Sequence, residues 1–179
     1  MSTAGLVLAA GAGTRFGQPK APVVVDGERM VDRAVRIMTE AGCDPVVVIL
    51  GAWVGDVDGA NVVVNNAWPE GMGSSLRTGL EHLRDTTDTD TVVVTLVDLP
   101  WLTTEAVERI ATQSPTASIA QATFKGERGH PVRLARELWD EAIDVAQGDE
   151  GARRLIRGRD DVALIEVGDV AGGDDMDVP

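Results

Sequence analysis

The residues with the clearest chemical content are Arg15, Lys20 and Asp98. The first two belong to Leu8-Ala-Ala-Gly-Ala-Gly-Thr-Arg-Phe-Gly-Gln-Pro-Lys20, a glycine-rich stretch that follows the apolar run Gly5–Ala9. Glycine lets a backbone turn sharply and approach a ligand closely. Successive exposed amides in such a loop form a concavity for anions, and a guanidinium and an ammonium add the charge that a triphosphate demands. Asp98 follows the apolar run Thr91–Val97 and precedes Leu99-Pro100. A carboxylate at the carboxyl end of a strand can ligate Mg2+, which takes oxygen ligands and keeps several waters. Each residue also has a plainer reading: an ordinary strand-to-helix turn with a surface Arg and Lys, and an Asp that caps a turn before Pro100.

Two better-known phosphate motifs fail on this stretch. Gly17-Gln-Pro-Lys20 breaks the spacing of a Gly-x4-Gly-Lys-[Ser/Thr] loop, and Phe16 stands where the third glycine of Gly-x-Gly-x-x-Gly belongs. No Cys/His cluster has zinc spacing, and no Gly-x-Ser-x-Gly elbow is present.

The elements that must position these groups alternate. Runs at Gly5–Ala9, Pro45–Leu50, Asn61–Asn65, Thr91–Val97, Ala117–Thr123 and Val162–Val167 are predicted strands. Several are apolar on both faces, as in a parallel sheet covered by helices on both sides. Between them, Met30, Ala34, Ile37, Met38 and Ala41 recur at helical spacing, as do Leu76, Gly79, Leu80 and Leu83. Ser74 or Ser75 can cap the second of these helices, and Thr103 or Thr104 a third. A fourth runs through Leu138, Trp139, Ala142 and Val145, and a short fifth covers Gly151–Arg157. The alternation predicts a doubly wound α/β fold. The turn-rich Phe124–Gly129, followed by Pro131–Leu134, predicts an antiparallel excursion near one edge of a mostly parallel sheet. The C-terminal Gly172–Pro179 has no periodicity and is read either as frayed or as folded back over the sheet.

At 179 residues the chain is read as one domain, 1–179. Its formal charge of −13 argues against a general role on nucleic acid, which needs a basic face. A small anionic substrate would need a local Arg and Lys cluster. The single cysteine, Cys43, allows no internal disulfide and fits a reducing compartment. Gly5–Ala10 is too short to span a membrane and no basic region precedes it. The expectation is a cytoplasmic protein with no membrane partner.

In its ordered motifs the chain resembles a known family. Leu8–Lys20 is similar to the L-A-[AG]-G-x-[GS]-x-R-[MF]-G-x-x-K signature of the nucleotidyltransferase superfamily, most nearly its molybdenum-cofactor branch. Gly71-Met-Gly-Ser-Ser-Leu-Arg-Thr-Gly-Leu80, Leu96-Val-Asp-Leu-Pro100, Gly129-His-Pro-Val132 and Gly148-Asp-Glu-Gly-Ala-Arg153 resemble the molybdenum cofactor cytidylyltransferase version. Asp175-Met-Asp-Val-Pro179 is similar to its D-x-D-T-P segment, with Val178 in place of Thr.

The resemblance implies a Rossmann-like three-layer sandwich of the nucleotide-diphospho-sugar transferase kind. It implies transfer of CMP from CTP to the terminal phosphate of molybdopterin, with release of pyrophosphate and with Mg2+ as cofactor. Transient contact with a molybdoenzyme or its chaperone would follow. On this chain it assigns catalysis to Arg15, Lys20 and Asp98, and the metal to Asp98 and Asp177, with Asp175 as alternative to the latter. It assigns the nucleotide to Leu8, Ala9, Ala10, Gly11, Ala12, Gly13, Arg15 and Lys20, together with Gly73, Ser74 and Ser75. The acceptor falls to His130 and Arg128, with Arg133 and Arg153 as further sources of charge. Guanylyltransferases of the branch carry Leu-Ala-Gly-Gly where this chain has Leu8-Ala9-Ala10-Gly11. The alternatives are GTP as donor, another phosphorylated metabolite as acceptor, and a catalytically silent nucleotide-binding module. A dinucleotide-dependent oxidoreductase is disfavoured by Phe16.

Overall fold

A computed structural model describes residues 1–177 and 179, so Val178 and its substitution for Thr lie outside the described residues. The chain builds a seven-stranded sheet in the order β5-β4-β1-β6-β8-β7-β9. These strands are β1 (Thr3–Ala9), β4 (Val46–Leu50), β5 (Asn61–Val64), β6 (Thr91–Leu96), β7 (Ile119–Phe124), β8 (Glu127–Ala135) and β9 (Val162–Glu166). A small hairpin, β2 (Val24–Val25) and β3 (Glu28–Arg29), stands apart. The helices are α1 (Met30–Glu40), α2 (Met72–Thr86), α3 (Thr104–Thr112), α4 (Trp139–Val145) and α5 (Arg153–Ile156).

β1 is the axis of the sheet. It pairs in parallel with β4 and with β6, and Ala4–Ala9 are buried. A strand covered on both faces needs apolar residues at consecutive positions, which Leu6-Val7-Leu8 supplies. One core lies between the sheet and α1 and α3, through Val7, Val48 and Val93. The other lies between the sheet and α2, α4 and α5, through Leu6, Ile49 and Trp139. These are the two covering layers of a three-layer α/β fold. Helix α2 sits so close to β1 that a Cβ on Gly79 would come within 2.5 Å of Leu6.

The antiparallel excursion is the β7–β8 hairpin. β8 runs against both β6 and β7, and the parallel β9 lies beyond β7. The hairpin β2–β3 was not foreseen. Its turn residues Asp26 and Gly27 both have positive φ, 51° and 85°, the conformation that Asp-Gly favours in a two-residue hairpin.

Three local expectations are corrected. Helix α2 begins at Met72, so neither Ser74 nor Ser75 caps it. Gly71 occupies the cap with φ 107°, where a Cβ would meet Gly148 and Asp149 at 2.6 Å. For α3 the capping residue is Thr103 rather than Thr104, its hydroxyl accepting from the Ala106 amide at 3.2 Å. Arg133, offered as acceptor-side charge, is fully buried on the far face of β8. Its guanidinium donates to the carbonyls of Ile110, Ala111, Gln113, Ser114 and Ala117 at 2.7–3.1 Å, closing the open end of α3. Burial lowers its pKa from the usual arginine range.

The C-terminal stretch takes the second of the two readings left open for it. The Gly172 amide donates to Trp101 O at 3.1 Å and the Met176 amide to Asp98 O at 3.0 Å, which lays the segment across the carboxyl end of β6. Cys43 is buried under the sheet, and burial pushes its thiol up to about 12, so it is inert.

Candidate active site

The loop after β1 takes its shape from two glycines with left-handed backbones. Gly13 has φ +61°, and any side chain there would collide with the Gln18 carbonyl. Gly17 has φ +96°, and its amide closes on Gly13 O at 2.7 Å. Phe16, which breaks the dinucleotide pattern, is buried. The turn delivers Lys20 back to the end of β6.

An open cavity of about 460 Å³ lies over this loop. It receives the whole stretch Leu8–Phe16, then Lys20, Ser75, Asp98 and Asp177. In an open α/β sheet the carboxyl ends of the strands are where ligands bind, and the cavity sits there, over the ends of β1 and β6.

Charge is concentrated at one end. Lys20 Nζ lies 2.9 Å from Asp98 Oδ2 and 3.6 Å from Asp177 Oδ1. Arg15 reaches Asp177 at 3.8 Å with a side chain that is 83% exposed, a pair that contributes little and leaves the guanidinium free to move. Lys20 is held, at 12% exposure. Asp98 Oδ1 is buried with no hydrogen-bond partner. A buried carboxylate oxygen without a donor is costly, so this atom is suited to a cation. Asp98 and Asp177, brought together on one ammonium, place two carboxylates where a hard divalent cation could take oxygen ligands. Among the described residues no cluster of three or more potential metal ligands exists.

The other end is mostly apolar, with the Asp149 carboxylate beside Gly71. Trp68, Pro69 and Met72 line it together with Ala10. Gly51 makes this close approach feasible, since a Cβ there would lie 2.7 Å from the Trp68 Cβ and 2.8 Å from the Ala10 Cβ. Sequence reasoning missed Trp68, Pro69 and Asp149, which also lines the cavity. The signal available was position, since Trp68-Pro69 lies one residue before Gly71 and Asp149 lies within the quoted Gly148–Arg153 motif.

Gly73 and Ser74, expected with Ser75 at the nucleotide, do not line the cavity. A Cβ on Gly73 would strike the Gln147 backbone at 2.6 Å, so this glycine serves packing. The Ser74 hydroxyl is engaged by the carbonyls of Gly71 at 2.8 Å and Ala67 at 3.0 Å.

His130 and Arg128 lie on β8, outside the cavity lining. Arg128 is exposed. His130 is half-buried, and desolvation lowers its pKa to about 4, with the Arg153 guanidinium pushing the same way and the Asp98 carboxylate opposing. His130 is therefore neutral at pH 7, and Asp98 and Arg153 are both close enough to act on it.

The chain is similar to known proteins along nearly its whole length. A family model for the MobA-like NTP transferase domain matches residues 5–163. A nicotine blue oxidoreductase of Paenarthrobacter nicotinovorans is 33% identical over 190 residues, 97% of this chain and 91% of that protein. A probable molybdenum cofactor guanylyltransferase of Opitutus terrae is 46% identical over 46 residues, 26% of this chain and 23% of its own. The structure of Rv0371c from Mycobacterium tuberculosis in complex with manganese matches with a TM-score of 0.76 at 25% identity, over 93% of this chain and 89% of that one. The family match coincides with a fold whose open cavity lies where the first strand enters its glycine-rich loop, and the chain belongs to the MobA-like NTP transferase family.

Proposed function

We propose that this NTP transferase moves CMP from CTP onto the terminal phosphate of molybdopterin in the cytoplasm, releasing pyrophosphate. The observation that carries the reading is Lys20, whose ammonium meets Asp98 at 2.9 Å and Asp177 at 3.6 Å beside the glycine-rich loop. An acceptor phosphate oxygen attacks the α-phosphorus, a P–O bond forms, and the bond to pyrophosphate breaks. Such a transfer needs positioning and charge neutralisation rather than a protein nucleophile. The amides of Ala10–Gly13 bind the phosphates, with Lys20 as a fixed charge and Arg15 as a mobile one. Asp98 and Asp177 would hold Mg2+, which supplies further neutralisation of phosphate charge when bound. Ala10 and Ser75 face the base, and His130 and Arg128 lie on the side from which the acceptor enters.

The test is an assay of all four NTPs against molybdopterin, with products identified by mass. A CMP adduct and pyrophosphate are expected with CTP. Adducts from GTP alone would transfer the reading to guanylylation, and pyrophosphate from no NTP would end it.

Oxidoreduction is a second reading. The oxidoreductase relative matches 97% of this chain, whereas the guanylyltransferase matches 26%. Phe16 in place of the third dinucleotide glycine argues against it, and NADH or NADPH oxidation by the purified protein would distinguish the two.

A further inference from the structure

Two buried serines follow each other at the start of α2, yet their hydroxyls are in different situations. Asn65, just after β5, is 3% exposed, and its side chain reaches both. The Ala67 amide donates to Asn65 Oδ1 at 2.9 Å. A backbone N–H can only donate, so this contact fixes which end of the Asn65 amide is oxygen and which is nitrogen. Asn65 Nδ2 then donates to Ser74 Oγ at 2.8 Å and to Ser75 Oγ at 3.1 Å. Ser74 passes its own proton to the Gly71 and Ala67 carbonyls. Ser75 accepts from Asn65, and among the described residues no hydrogen bond uses its proton. Ser75, unlike Ser74, lines the cavity.

We propose that Asn65 is a positioning residue that makes Ser75 a hydrogen-bond donor to the nucleotide base, selecting a base that presents an acceptor atom there. The proposal rests on the nucleotide reading of the cavity. With one lone pair engaged by Asn65, Ser75 keeps its proton free for a partner in the cavity that it lines. Cytosine, with the acceptors O2 and N3 on one edge, satisfies it. An edge that presents N–H groups there, such as guanine N1–H and N2–H2, leaves the Ser75 proton without an acceptor, and an unpaired polar group discriminates more strongly than a missing methyl. Apolar contact with Trp68 and Ala10 is indifferent to this polarity, so the hydroxyl adds a hydrogen-bonding criterion to the size limit that Ala10 sets.

The substitution Asn65→Asp keeps size and keeps an acceptor for the Ala67 amide. Its carboxylate cannot donate, so it takes the Ser75 proton and leaves a lone pair facing the cavity. The experiment measures binding of the four non-hydrolysable NTP analogues with Mg2+ by calorimetry. It compares wild type, Asn65→Asp, Ser75→Ala and the double variant, with a thermal melt of each. Asn65→Asp should weaken the preferred analogue by about tenfold or more and shrink its lead over the others. In the Ser75→Ala background the same change should leave the ranking alone. An unchanged ranking in a folded Asn65→Asp protein, or an equal effect of Asn65→Asp with and without Ser75, overturns the proposal while leaving nucleotide binding intact. If Asn65→Asp does not fold, Ser75→Ala decides: a reduced lead supports the proposal and an unchanged ranking overturns it. Wild-type protein that binds none of the analogues overturns the nucleotide reading itself.

Discussion

Lys20 Nζ and Asp98 Oδ2 are 2.9 Å apart, although 78 residues separate them in the chain. The contact joins the end of the glycine-rich loop to the end of β6. It uses one Asp98 oxygen and leaves the other, Oδ1, buried without a partner. Ammonium, orphaned carboxylate oxygen and loop amides therefore converge at one end of a cavity whose other end is lined by Trp68 and Ala10.

Replacing Asp98 by Asn keeps the shape and removes the charge. Turnover in Mg2+ should fall by about 100-fold or more while the fold persists, because phosphate neutralisation contributes several kcal/mol to such transfers. Steady-state pyrophosphate release and a circular dichroism melt check the two halves of this expectation. A folded variant with near wild-type rates would remove Asp98 from the metal.

Lys20→Ala should raise KM for the NTP and lower the transfer rate, with a combined effect on the order of 100-fold. It also leaves Asp98 and Asp177 facing each other without the shared cation. Lys20→Arg should restore little, because a planar, longer fork does not fit a point-charge position. Unchanged kinetics in Lys20→Ala would place the triphosphate elsewhere.

On the proposed reading, the Ala10 methyl, 4% exposed at the Trp68 end of the cavity, would narrow it against a purine. CTP should be preferred over GTP, and Ala10→Gly should relax the preference by about tenfold without reversing it, the scale of one methyl group in a pocket. The kcat/KM ratio for the two nucleotides in wild type and variant tests this. Equal use of both by the wild type would refute the cytidylyl assignment and leave nucleotidyl transfer standing.

Arg133→Met removes a buried guanidinium and leaves five carbonyls around α3 without their donor. Methionine fills the volume but donates nothing. The urea midpoint should fall by an amount equivalent to about 3 kcal/mol or more. Base preference should be unaffected where the variant is folded, since Arg133 lies on the opposite face of the sheet from Ser75.

His130 has a folded pKa lowered to about 4 from the ordinary 6.5. Between those values the unfolded chain binds the proton and the folded one does not. This contribution to stability is therefore complete above pH 6.5 and is lost as pH falls towards 4. Urea titrations across that window should show a steeper loss for wild type than for His130→Gln. Identical pH profiles would mean that the imidazole is accessible to protons in the folded state.

The sequence determined the β–α alternation, the loop between Gly5–Ala9 and Lys20, and the types of its chemical groups. Those features are local: apolar periodicity fixes which faces are buried, and the glycines of the loop fix where its backbone can turn. Tertiary structure decided the rest, because contacts between distant segments leave no periodic trace in a single chain. It put Asp177 beside Lys20 by folding the C-terminal stretch over Asp98. It sent Arg133 into the core beneath α3, where only the position of that helix end supplies the carbonyls that make a buried guanidinium tolerable. It also separated Ser74 from Ser75. The two are indistinguishable as neighbouring serines in sequence, but the rotation of about 100° per residue along a helix turns one hydroxyl to the backbone and the other to the cavity.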